Sequence, residues 1–242
     1  MKRGQVTVFI IFAIIIVSLI IIFFIAKPDI LNIQEYFIDS EVKQARSFVG
    51  DCIESTTQEA IYNIGQTGGY FISSNLSTEN NIAYYRIGKE IYIPSKEQIK
   101  KELEDYTNQM LFFCTKNFID FPNLKVEQGE IKTNVEIKAK TVLFKINYPL
   151  SISKEERTST FEKFETEVSV RLNTIYDSIY KIINEYMDEE RLCISCIDEL
   201  LTEKDLYFEM NDLDEETIFF AIIDANSKIK REDFWFYFAN KY

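Results

Sequence analysis

No histidine occurs among the 242 residues of this chain. That absence removes the Ser-His and Cys-His nucleophile pairs, the commonest general base, and most zinc and copper sites together. Glycine and proline are scarce, at 7 and 4 residues. With no stretch of low complexity beside them, a disordered stalk is excluded for most of the length. Cations are the minority charge, 27 Lys and Arg against 39 Asp and Glu, for a formal net charge of −12. Such a balance opposes nucleic acid as a partner, because phosphate binding is driven by Lys and Arg through counterion release. It equally opposes docking onto anionic lipid headgroups.

The first feature that is present is an apolar run. From Val6 to Ala26 no residue is charged, and the only polar side chains, Thr7 and Ser18, are small enough to bond back to helix carbonyls. At about 1.5 Å per residue the run spans roughly 31 Å, the hydrocarbon thickness of a bilayer. A transmembrane helix over residues 5–27 is expected, with the lipid bilayer as its partner. A secretory signal has a shorter apolar region, about 7–15 residues, and small residues at its cleavage site. Here bulky Phe24 stands two residues before Ala26, so removal at that end is not expected. Lys2 and Arg3 precede the run and an acidic segment follows it, which orients the N-terminus to the cytoplasm and the remainder outside a single-pass cell membrane protein.

The opening Lys2-Arg3-Gly4-Gln5, followed at once by an apolar helix, resembles the class III signal of archaeal type IV pilin-like proteins. That resemblance covers about 25 residues. It implies a prepilin peptidase cutting on the cytoplasmic side after Gly4, with Gln5 as the first mature residue and residues 1–4 as a basic leader. The apolar helix would survive cleavage, in the membrane or in a filament core. Phe9 departs from the pattern: many such pilins carry a glutamate there that helps register subunits. An uncut signal anchor is the other reading of the same residues.

Residues 28–242 read as an extracytoplasmic α+β ectodomain, and a subdomain boundary near residue 172 would divide it in two. Ala45, Phe48, Val49, Cys52, Ile53, Thr56, Ala60 and Ile64 recur at helical spacing, which predicts an amphipathic helix from about Gln34 to Ile64, stopped by Gly65, Gly68 and Gly69. Pro28 permits a kink between it and the span. Two short strands flank Gly88-Lys89, a hairpin signal. Ser95 and Gln98 form a capping box that opens a helix with Ile99, Leu103, Tyr106, Met110 and Cys114 inward. Strands at 131–139 and 142–152 alternate cleanly, Pro149 belongs at an edge or a bulge, and a third strand near 164–172 extends the meander. A helix over 173–190, a short helix or turn at CISCIDELL, and strands at 206–210, 217–223 and 234–238 complete the pattern. Helices alternating with strands joined by short turns predict antiparallel sheets with helices on one face.

Outside the cell four cysteines read as two disulfides. The favoured pairing is Cys52 with Cys114 and Cys193 with Cys196; the alternative links one of the CISC pair to Cys52 or Cys114. A redox-active CISC would need a preceding strand and a helix N-terminus, and the predicted helix before it argues for a local structural bond. A four-cysteine zinc site normally shows two CxxC pairs, so no metal is expected there. The acids Asp212, Asp214, Glu215 and Glu216 lack EF-hand spacing and read as a solvated turn. Phe234 to Phe238 reads as core or as a face for a neighbouring subunit. Asn75-Leu76-Ser77 is an N-glycosylation sequon. No catalytic set and no cofactor can be assigned. The expected function is that of a membrane-anchored surface protein, either a filament subunit or an adhesion protein that works through protein partners or self-association; the alternative is an anchored module that captures a solute, peptide or partner.

Overall fold

Asp39 begins the first long helix. Its Oδ1 accepts the Glu41 N–H at 2.8 Å, and its carbonyl accepts the Lys43 N–H at 3.0 Å. The computed structural model describes residues 14–18, 39–72, 74–187 and 192–242. Helix α1 (Ser40–Thr67) buries Ala45, Val49, Cys52, Ile53, Thr56, Ala60 and Ile64. Its end is a glycine cap: Gly68 and Gly69 take φ of 75° and 90°, and the Gly69 N–H reaches back to the Ile64 carbonyl at 2.7 Å. The expected start near Gln34 lies outside the described residues. The chain divides into two units, Met1–Gln44 and Ala45–Tyr242, and among the described residues every strand and every helix after α1 belongs to the second.

Strands β1 (Tyr84–Ile87) and β2 (Glu90–Ile91) form the expected hairpin, with Gly88 at a φ of 54°. Helix α2 (Lys96–Thr115) starts at Ser95, whose hydroxyl accepts the Gln98 N–H at 3.1 Å. Its inward stripe differs from the expected one. Ile99 and Leu103 are buried, and then Thr107, Leu111 and Thr115 follow, where the spacing predicts Tyr106, Met110 and Cys114. Two threonines can be inward because their hydroxyls are satisfied within the helix, Thr107 on the Leu103 carbonyl at 2.7 Å and Thr115 on the Phe112 carbonyl at 3.1 Å.

Two sheets follow. In one, β3 (Lys125–Gln128) and β4 (Lys132–Ile137) share one edge of β5 (Val142–Lys154), while β6 (Arg157–Val168) takes the other, all antiparallel. Strand β6 begins well before the expected third strand, because its outward residues are polar and leave little apolar alternation to read. The free edge of β4 is covered by α2: Asn108 Oδ1 accepts the Thr133 N–H and Glu104 Oε1 accepts the Val135 N–H, each at 2.9 Å. Two side chains four apart on a helix thereby satisfy two alternate donors of a strand that would otherwise template aggregation.

The other sheet has the order β2-β1-β9-β8-β7, formed with β7 (Tyr207–Asp212), β8 (Thr217–Ile229) and β9 (Glu232–Lys241). It is not wholly antiparallel as expected, since β1 runs parallel to β9. That pairing joins residues from both sides of position 172, and no local pattern announces a contact of such separation. The β8–β9 turn is Lys230-Arg231, both at positive φ (53° and 75°), so the strands run on past the predicted ends without a glycine signal. Helix α3 (Leu172–Lys181) continues into one π-helical turn, Ile182–Tyr186, and does not reach Glu190 as expected, because Met187 is extended. Helix α4 (Ile194–Thr202) anchors through Ile197, Leu200 and Leu201. The α+β class is therefore as expected.

Helix α1 meets β9 at Gly65. A Cβ there would lie 2.4 Å from the Trp235 carbonyl oxygen and 2.8 Å from the Phe234 ring. Gly65→Ala is expected to cost about 1–3 kcal/mol through overpacking, read as a lower urea midpoint with an unchanged slope. An unaltered midpoint would mean that the helix does not approach the strand this closely.

Tyr85 is fully buried, stacks on Phe238 with centroids 5.2 Å apart, and donates to the Gly68 carbonyl at 3.0 Å. Burial pushes its phenol well above the ordinary value of 10.0. A folded pKa raised above the unfolded one leaves stability intact below the unfolded value and drains it as pH climbs toward the folded value. Urea unfolding between about pH 8 and 11 should show this loss above pH 10, with a flatter alkaline limb in Tyr85→Phe.

Candidate functional site

Pro149 sets the local geometry of an open region of the surface. It has no N–H, yet it sits in β5, the central strand, and it is tolerated because the ladder to β6 slips there: Asn147 faces Lys163 while Leu150 faces Phe161. On the other edge, pairing passes at the same place from β3, at Gln128–Leu150, to β4, at Lys132–Asn147. Gly129 occupies the crossing. Its N–H donates to the Pro149 carbonyl at 2.7 Å, and a Cβ would stand 2.9 Å from the proline Cβ.

Beside this crossing the end of α2 presents Phe112 and Phe113, their rings edge to face at 5.8 Å and 47% and 66% exposed. Together with Gln128, Glu130 and Ile131 they line an open hollow of about 630 Å³. A second hollow, of about 320 Å³, shares Gln128 and Gly129 and reaches Phe161 and Glu162. Glu127 on its rim is held below the usual carboxylate range by its bond to Lys125, so it stays ionised at neutral pH. Gln128 is fixed from beneath, its Oε1 accepting the Tyr148 hydroxyl at 2.5 Å. An apolar floor under an amide and acidic rim is complementary in chemistry to apolar or cationic groups.

All four cysteines are paired, in the favoured arrangement: Cys52 with Cys114 and Cys193 with Cys196, with Cα atoms 5.7 Å and 5.3 Å apart. Their surroundings differ. Cys52 is buried in α1, and nearby Phe48 packs against Phe118 and Phe121 at 6.2 Å and 5.5 Å. Cys193 and Cys196 are half-exposed, and Cys193 is the residue that caps α4. The short helix expected at CISCIDELL is present, with Cys193 at its N-cap position, and the helix before it stops earlier than expected, since Met187 is extended and bridges to Leu192.

One polar cluster has no sequence signal. Arg171 and Asp224 lie 53 positions apart, and the guanidinium donates from Nε at 3.0 Å and from Nη2 at 2.5 Å to the two carboxylate oxygens. Its remaining donors reach the Lys204 and Asp205 carbonyls at 2.9 Å and 3.0 Å. The Ser227 hydroxyl completes the set, donating to Asp224 at 2.5 Å and accepting the Arg171 N–H at 3.0 Å. Bonding to Asp224 raises the Arg171 pKa further. The cluster sits where β8 bulges between Asp224 and Lys228, and bulges are not legible in composition. With four guanidinium donors engaged internally, the arrangement ties three chain segments together.

Phe234, Phe236 and Phe238 are buried while Trp235 and Tyr237 are partly covered, so the aromatic strand is core on one face. Asp212, Asp214, Glu215 and Glu216 are exposed in the β7–β8 turn, where Asp214 accepts the Glu216 N–H at 2.8 Å and is thereby held below the usual range. Among the described residues no three Cys, Asp or Glu side chains group as metal ligands. Asn75 of the sequon is exposed in a bend. Gly4, Gln5, Val6, Phe9 and Ala26 lie outside the described residues. Of the apolar run only residues 14–18 are described; they are helical, and the Ser18 hydroxyl donates to the Ile14 carbonyl at 2.8 Å, as its residue type predicts. Among the described residues no helix is long and apolar enough to cross a membrane. No family model, no curated protein and no solved structure matches the chain.

Arg171→Met should lower stability by about 3–5 kcal/mol, since it strands the fully buried Asp224 carboxylate. Adding Asp224→Asn should restore part of that loss in chemical denaturation. Equal midpoints for the single and double variants would show that the ion pair clamps nothing.

Proposed function

We propose that the chain is a membrane-anchored cell-surface protein, a pilin-like filament subunit or adhesion protein that works by contact with other proteins or with copies of itself. In this reading residues 5–27 lie in the bilayer, residues 1–4 form a basic leader on the cytoplasmic side, and the α+β body stands outside. The observation that carries it is the charge-free run from Val6 to Ala26 placed directly after Lys2-Arg3-Gly4-Gln5. Pairing of all four cysteines agrees with an oxidising exterior. Exposed Phe112 and Phe113 supply apolar area of the kind that protein contacts bury.

A second reading, an anchored module that captures a solute, peptide or partner, is favoured by the hollow between Phe112, Phe113 and the Gly129 crossing. Membranes sheared and imaged, together with the mass of the N-terminal peptide, separate the two. The first reading expects filaments released by shear and Gln5 as the first residue. Intact Met1 with all protein retained in the membrane pellet selects the second, and full-length protein dissolved in cytosol without detergent removes both.

A further inference from the structure

We propose that Cys193–Cys196 is a thiol–disulfide exchange site, able to oxidise a dithiol in a polypeptide partner, while Cys52–Cys114 is the bond that holds the body together. Three features set the first bond apart. Both of its sulfur-bearing residues are half-exposed, whereas the other bond joins half-exposed Cys114 to a buried partner, Cys52. It closes a ring only 3 residues apart in sequence, against 62 for the other, so opening it frees no long loop. Finally, α4 has its own anchors in buried Ile197, Leu200 and Leu201.

Position supplies the chemistry. Cys193 is the N-cap of a nine-residue helix and Cys196 lies within its first turn. The first N–H groups of a helix have no intrahelical acceptor and carry partial positive charge, which favours a thiolate at the cap. The Cys193 sulfur also stands 3.7 Å from the Ser195 hydroxyl. In front of the bond Ile194 is 50% exposed, an apolar foothold for an extended chain.

A partner thiolate attacks the Cys193 sulfur, the Cys193–Cys196 bond breaks, and its electron pair leaves on the Cys196 sulfur, which takes a proton. The partner's second thiol loses a proton and attacks its own sulfur in the mixed disulfide. Cys193 then departs as the thiolate that the helix terminus stabilises. Two electrons and one proton pass from the singly ionised partner dithiol to the protein, which ends with a Cys196 thiol and a Cys193 thiolate, and the partner carries away the new disulfide.

The full chain in detergent, titrated with dithiothreitol and alkylated for mass spectrometry, should label Cys193 and Cys196 while Cys52 and Cys114 remain joined and the near-ultraviolet dichroism persists. A structural bond of mere surface exposure would give that result too, so reactivity is read separately. At pH 7 the lone Cys193 thiol of Cys196→Ser should react with an aromatic disulfide reagent about 3-fold faster than the lone Cys196 thiol of Cys193→Ser, because the helix terminus raises the thiolate fraction at Cys193 while the lower basicity of that thiolate offsets part of the gain. Simultaneous reduction of both disulfides, or equal rates for the two variants, overturns the proposal.

Discussion

The bond between Cys52 and Cys114 joins the two helices on which the two sheets are built. Helix α1 reaches the five-stranded sheet at Gly65, where only a hydrogen fits against β9. Helix α2 holds the four-stranded sheet by the edge of β4, through Glu104 and Asn108. Helix α1 also touches the four-stranded sheet, where the Arg46 guanidinium lies 5.1 Å from the Phe161 ring centroid of β6, and the covalent tie between the helices adds to that contact, with Phe48, Phe118 and Phe121 packed on one another. Closing a loop of 62 residues removes denatured-state entropy worth about 4 kcal/mol, a large share of a typical domain's stability.

A second tie acts at the far side of the body. Arg171, at the junction of β6 and α3, binds Asp224 in the bulge of β8 and two carbonyls of the loop that leads into β7. A buried ion pair of this kind contributes little net stability against an apolar equivalent, but it is costly to break, which makes it a device for arrangement. The same logic appears at Pro149: a residue that cannot donate to the ladder is placed where the ladder must skip, and the crossing of β3 and β4 is built around it. The open hollow and the exposed Phe112 and Phe113 follow from that crossing.

Much of the fold is legible in the sequence because its cause is local. Alternation along β5, the Ser95 cap, the Gly88 turn and the one-sided face of α1 each depend on residues a few positions apart. Expectation and structure part where a local rule has a second solution. Threonines turn inward in α2 because their hydroxyls find carbonyls one turn back, and Lys230-Arg231 takes a turn that glycine usually marks. The start of β6 escapes the pattern because the residues of an edge strand that face solvent carry no apolar signal. The disulfide partners can be named because two cysteines lie on apolar helix faces and two lie within one turn.

By itself the sequence determined the charge-free run with its basic leader, the lack of histidine chemistry, the acidic balance, and the order of helices and strands, all of which are sums or spacings along one dimension. Tertiary structure alone decided the parallel pairing of β1 with β9, the Arg171–Asp224 clamp and the hollow over Pro149. Each of these depends on groups brought together from distant positions, and loop closure is too weakly dependent on length for spacing to reveal which pairs meet.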